Sequence, residues 1–264
     1  MLDFSDLKSY FDALNLSDKP VIAHASLKNF GYIRDGADAV VRAMAGSFKS
    51  VIMPTHTYKT MITPKIGPPN NAMIYGSQES LNKMAIPFTL DLRTDSMMGM
   101  LPEAMRNHPL ATRTAHPILS FAGINAESII ATQTLFEPFA PISALAEQDG
   151  WVVLINVDHT VNTSIHYAEK LAGRKQFVRW ALVDDRVVAC QHFPGDSTGF
   201  QAIEEHIQPD VFRLDIGKVA IQAVPLKRLF DVVQGLIKQN PLALLCERDD
   251  CDRCNAVRGI YAVG

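Results

Sequence analysis

No apolar run in this chain reaches the roughly 18–20 residues that a membrane-spanning helix needs. Basic charge is not in excess either: 25 Lys and Arg stand against 28 Asp and Glu, a formal net charge of −3. That balance provides no field to hold nucleic acid or an anionic membrane. Cysteine is scarce, four in 264 residues. So few cannot build a disulfide framework in a chain this long, and a reducing, cytoplasmic setting is the simpler expectation. The start, "MLDFSDLKSYFDALNL", lacks the basic region and apolar centre of a secretion signal. Several catalytic signatures are also missing. Without G-x-x-x-x-G-K-[ST] or G-x-G-x-x-G, P-loop and Rossmann chemistry lack support. The absence of H-E-x-x-H weakens a metal-hydrolase reading.

What is present is an ordinary globular composition, 47% hydrophobic and 20% charged. Phe4, Leu7, Tyr10, Phe11 and Leu14 fall on one helical stripe. "KPVIAHASL", "SVIMPTHTY", "HPILSFAGI" and "WVVLINV" read as buried strands, and helical patterns separate them. Residues 60–80, rich in Pro, Gly and Asn, read as a long loop of the kind used as a lid. Gly150 is expected to close the helix in "PISALAEQDG". "QFVRWALV" and "RVVACQHF" flank Asp184-Asp185 as an antiparallel hairpin, and two late helices follow. The expected fold is α/β: a three-layer α/β/α domain over residues 1–264, with a mixed central sheet and an antiparallel C-terminal hairpin.

Ligands of open α/β sheets bind beyond the C-terminal ends of strands. His24, His56 and His159 stand at such ends, and His166 lies one turn inside the next helix. Any one of them could simply bond a loop. Asn162 or Thr163 can cap the helix that carries His166, and Glu169 falls three positions after it, near the same face. A histidine held by a carboxylate can move protons near neutral pH. The residues alone leave three classes open. His166 could be a general base for acyl transfer to an amine. His24, His56, Asp158 and His159 could be metal ligands of a hydrolase. The chain could also bind a ligand without turning it over.

Four ordered blocks carry a resemblance. "HASLKNFGYIRDGADAVVRAM", "VIMPTHTY", "MGMLPEAMRNHPLATRTAHPILSFAG" and "DGWVVLINVDHTVNTSIHYAE" resemble segments of the aminoglycoside N3-acetyltransferase family. The likeness implies acetyl transfer from acetyl-coenzyme A to an amino sugar within one ternary complex. In keeping with it, the chain has no R-x-x-G-x-[GA] pyrophosphate loop, the mark of a different acetyltransferase fold. The implied catalytic base is His166, with Glu169 beside it and Thr163 near the reacting oxygen. The implied coenzyme site uses His24, Ala25, Ser26 and Leu27, with Gly31 for close approach and Arg113 and Ser120 from the third block. A cationic acceptor calls for carboxylates, so His56, Tyr58, Asp91, Glu103 and Asp158 are its candidate contacts, with Asp95 and Glu137 as further acids. Glu103 can instead orient a neighbouring loop. Ala25 replaces a usual Ser, and Asn156 a usual Gly. A monomer and a homodimer are both compatible with the sequence.

"CERDDCDRCNAVRG" places Cys246, Cys251 and Cys254 at a spacing suited to a structural zinc ion, with Cys190 or His192 as the expected fourth ligand. Three reduced thiols on a polar tail are the alternative.

Overall fold

The central strands are apolar on both faces because helices cover both. In the computed structural model, which describes residues 1–76 and 79–262, Ile22, Ile52, Val152 and Leu154 point into one core. Val21, Val51, Val153 and Ile155 point into the other. This is the two-residue alternation of a strand, with both sides dry.

In chain order the elements are α1 (Phe4–Asp12), β1 (Pro20–Ala25), α2 (Gly36–Ser47), β2 (Ser50–Pro54), β3 (Met61–Ile62) and α3 (Glu79–Asn82). They continue with α4 (Met100–Asn107), β4 (Ala111–Arg113), β5 (Phe121–Ile124), α5 (Glu127–Ile130), α6 (Ala140–Glu147), β6 (Trp151–Ile155) and α7 (Thr163–Leu171). The last are β7 (Phe177–Val183), β8 (Arg186–Phe193), α8 (Glu204–Ile207), β9 (Phe212–Ile216), β10 (Val219–Pro225), α9 (Leu226–Gln239) and α10 (Asp252–Tyr261). The seven-stranded central sheet runs β4-β5-β2-β1-β6-β10-β9. β1 lies parallel to β2 and β6, and the outer pairs are antiparallel. Residues of α6, α7 and α9 fill one core and those of α1, α2 and α4 the other, which gives the three layers.

The expected hairpin is present as β7 and β8, and it joins β3 in a separate three-stranded sheet. The antiparallel addition to the central sheet is a different hairpin, β9 and β10, which the sequence reading left unassigned. Its alternating "VAIQAV" and Gly217 at φ 62° were the available signals. The C-terminal segment, to which the sequence reading assigned no helix, carries α10. The 60–80 stretch begins with β3, and Asn71 pins it to β7: its Oδ1 accepts from Val178 N (2.8 Å) and its Nδ2 donates to Val178 O (3.0 Å). Ser77 and Gln78 of that stretch lie outside the described residues.

At the end of α6, Asp149 takes the left-handed conformation (φ 55°). Gly150 follows because a Cβ there would sit 2.6 Å from Leu145 O. Asn156, just after β6, has φ 53°, a glycine-like conformation that Asn tolerates. Its side chain donates to Ser26 O (3.3 Å) and Lys28 O (2.6 Å) and accepts from Ala220 N (2.9 Å). The replacement of the usual Gly thus keeps the backbone turn and ties the loop after β1 to β10. No helix among the described residues is long and apolar enough to cross a membrane.

Candidate active site

Because β1, β2 and β6 are parallel, their C-terminal ends reach one edge, and α7 starts there. A cavity of about 1060 Å³ opens at that edge. The ends of β1 and β2 supply His24 through Lys28 and Met53, Pro54, His56 and Tyr58. The start of α7 supplies Asn162, Thr163 and His166. Met61, Arg179 and Phe193 come from the small sheet.

Asn162 caps α7 through Oδ1, which accepts from Ser164 N at 3.1 Å. One turn on, the His166 ring lies between Phe139, stacked at 6.2 Å, and Phe200, edge-on at 4.7 Å. Its Nδ1 meets Glu169 Oε2 at 3.0 Å. Glu169 is 2% exposed, and its other oxygen accepts from Arg174 Nη1 at 3.0 Å. Arg174 Nη2 donates to Pro241 O (2.9 Å) and Ala243 O (2.8 Å). A carboxylate can only accept, so with Glu169 ionised Nδ1 is the donor to it, and Nε2, which has no hydrogen-bond partner among the described residues, is left with the lone pair. Arg174 stands five positions after Glu169, beyond Gly173 at φ 79°. No helical spacing pointed to it.

His24 and His56 line the same cavity, and Nε2 of each is buried without a partner. Burial, reinforced by neighbouring imidazoles, pushes both down to about 3. They are neutral rings at physiological pH. His56 Nδ1 lies 3.1 Å from the Tyr58 hydroxyl, whose own ionisation burial raises to about 12.

The structure separates the other expected contacts. Ala25, Ser26 and Leu27 line the cavity. Gly31 does not; it has φ 71° with nothing near its missing Cβ, so the backbone turn requires it and no close approach does. Arg113 and Ser120 are also absent from the wall. Arg113 donates to Leu90 O, Leu92 O, Thr55 O and Ser120 Oγ, and Ser120 is wholly buried. Every guanidinium nitrogen of Arg113 is thereby engaged in fastening residues 90–92 to the end of β2, with none directed at a phosphate. Burial holds Arg113 down, at about 10.

Among the acids, Asp95 is the one carboxylate among the described lining residues. Glu103 lies behind the wall. It accepts from Thr94 N (3.0 Å) and from Arg106 Nη2 (2.7 Å), which holds the loop that presents Asp95, Met97 and Met98. Burial opposes its ionisation, but the bonds from Arg106 and Thr94 prevail and hold it down at about 2. Asp91 is exposed outside the cavity. Asp158 is exposed and accepts from Thr160 N at 2.9 Å. Glu137 pairs with Lys170. His159 is buried behind the site, its backbone N donating to Gln201 at 2.9 Å. Among the described residues, His24, His56, Asp158 and His159 do not form a group with metal-binding separations. The zinc expectation also changes. Asp196 is the residue beside the three C-terminal cysteines, whereas Cys190 is buried in the main core and His192 Nδ1 contacts Phe136 O at 2.8 Å. Sequence reading missed Arg174, which lies just past the end of α7, Asp196, and the cavity-lining Arg179 and Arg253.

Comparison with known proteins adds to this geometry. The profile of the family described as "Aminoglycoside 3-N-acetyltransferase" matches residues 22–238. Aminoglycoside N(3)-acetyltransferase IV of Salmonella sp is 28% identical over 169 residues, 60% of this chain. The chain spans 56% of that relative's length. The apoenzyme of aminoglycoside acetyltransferase AAC(3)-IVa superposes with a TM-score of 0.77 at 20% identity, covering 98% of this chain and 97% of that one. AAC-IIIb in a binary complex with CoASH superposes with a TM-score of 0.74 at 18% identity, covering 90% and 96%.

Proposed function

Because the chain belongs to the aminoglycoside 3-N-acetyltransferase family, we propose that it is an acetyl-coenzyme A-dependent N-acetyltransferase, one catalytic domain acting on an amine-bearing acceptor. The observation that carries this reading is the His166–Glu169 contact of 3.0 Å on the cavity wall. An ammonium has no lone pair, so acceptor nitrogen must lose a proton before or during attack on the thioester. His166 Nε2 receives that proton. Glu169 holds the ring and faces the imidazolium that forms, and Arg174 holds Glu169. The nitrogen–carbon bond forms as the carbon–sulfur bond breaks, and the thiolate leaves to be protonated. Thr163, at the first turn of α7, places a hydroxyl and the positive end of a helix where negative charge grows on the carbonyl oxygen. Residues 24–28 at the end of β1 form the coenzyme side of the cavity. AAC-IIIb, a protein of the same fold, has been solved as a binary complex with CoASH, which supports coenzyme A as the donor.

A second reading concerns the acceptor. Asp95 stands against Lys28, Arg179 and Arg253 on the described wall. Arg253 is paired with Asp196 at 3.1 Å. Arg179, 5% exposed, donates to carbonyls of Asn71, Ala72 and Val178 and has no carboxylate partner among the described residues. Its uncompensated charge repels a polycation. An acceptor with one amine and few other positive charges suits this wall better than a polyamine does.

The test is thiol release from acetyl-coenzyme A across amino sugars of rising positive charge. We expect turnover, with kcat/KM highest for acceptors bearing one or two amines. Highest efficiency on the most cationic members would overturn the acceptor reading. Absence of release with every amine would overturn the transferase reading.

A further inference from the structure

We propose that Cys246, Cys251, Cys254 and Asp196 bind a zinc ion that fastens the C-terminal helix to the wall of the active cavity. Their ligand atoms all lie within 4.8 Å of one another. A tetrahedral zinc with bonds of about 2.0–2.3 Å sets its ligand atoms roughly 3.3–3.8 Å apart, so small adjustments close the site. Sγ of Cys246 and Cys254 are already 3.3 Å apart, and all four cysteines of the chain are unbridged. The three sulfurs are 3%, 6% and 1% exposed as residues Cys246, Cys251 and Cys254. They form a cluster apart from both main cores, with Leu245 as its partly buried apolar neighbour. Soft thiolates with one carboxylate suit zinc, and four protein ligands leave no position for a substrate. The site is therefore structural.

The ligands come from three segments, and the backbone is arranged to bring them together. Cys251 is the N-cap of α10, and Cys254 follows one turn later on the same side. Cys246 lies in a stretch, residues 240–251, with neither helix nor strand. Leu244 just before it has φ 63°, an unfavourable conformation for a branched side chain. Asp196 sits in the loop after β8. That loop presses so closely on the cysteine stretch that a Cβ on Gly199 would lie 2.5 Å from Leu245 O and 2.6 Å from Leu244 O. Arg258 donates to the carbonyls of Cys246 and Arg248 and braces the turn from the other side.

The site has a path to the cavity. Arg253, between two cysteine ligands, donates to Gly195 O (2.8 Å) and Asp196 Oδ2 (3.1 Å). Arg253, Gly195 and Ser197 all line the cavity. A metal that holds Asp196 and α10 in place holds this wall as well.

Elemental analysis of the 264-residue chain, purified without a histidine tag or added metal, should find about one zinc per chain. Cobalt exchanged into the same protein should show thiolate-to-cobalt charge transfer and tetrahedral visible bands. Cys251→Ser should lose most of the metal, and Cys190→Ala, outside the cluster, should keep it. The wild-type stoichiometry decides the matter even if a cysteine variant misfolds. A folded, metal-free chain whose C-terminal thiols all react, or a disulfide joining Cys246 to Cys254, would overturn the site. Both readouts are independent of acetyl transfer.

Discussion

His166 and the pair His24 and His56 line one cavity with nearly equal burial, 8% against 7% and 5% exposed. Their surroundings differ. His166 has Glu169 at 3.0 Å, itself held by Arg174 at 3.0 Å. His24 and His56 have no carboxylate in contact among the described residues, and burial leaves them neutral, at about 3. Burial alone does not make a histidine a base. In the proposed mechanism His166 serves as base because Glu169, three residues on along the same helix, faces the ring as it becomes charged.

The largest effect expected from this contrast is on turnover. His166→Ala should lower kcat by about 10²–10⁴ with coenzyme binding, measured by calorimetry, nearly intact. His56→Gln should cost less than roughly tenfold. Equal losses in the two variants would break the comparison. Next comes the support behind the ring. Arg174→Met leaves Glu169 as a buried carboxylate without its cationic partner, held by His166 alone, and we expect a loss of about 3–5 kcal/mol in chemical denaturation. Adding Glu169→Gln should recover part of it. A loss below about 1 kcal/mol would show that Arg174 is not what holds the carboxylate.

The smallest effect concerns the neutral rings. His24, His56 and His116, at about 3, 3 and 4 in the fold, stay unprotonated where the unfolded chain, at 6.5, takes up protons. Stability is therefore full above pH 6.5 and falls as pH drops toward 4. The slope is about 1.4 kcal/mol per pH unit for each ring, since the unfolded state binds the extra proton. His56→Gln should flatten the denaturation slope at pH 5 by about one such increment. An unchanged slope would mean that His56 is already protonated in the fold.

Much of this protein was legible because its signals are local. The apolar run 151–155, the cap at Asn162 and the i,i+3 spacing of His166 and Glu169 lie within 19 residues, and each depends on backbone geometry that neighbours in sequence impose. Arg113 shows the limit. Its place in a matching block suggested a coenzyme contact, but folding brought Thr55 and the carbonyls at 90 and 92 within reach of its guanidinium. Of the acids offered for the acceptor, Glu103 takes the loop-orienting role left open for it, and Asp95 faces the cavity.

Chain order and spacing were enough for the layered α/β architecture, the helix under His166 and the clustering of three cysteines, since apolar period and capping chemistry act over a few residues. Long-range closure decided the rest: Arg174 behind Glu169, Asp196 beside the cysteines, and a cavity wall with more cations than carboxylates. Those partners lie far apart along the chain or beyond helix ends. Only packing, which follows from the whole set of buried faces at once, could select them.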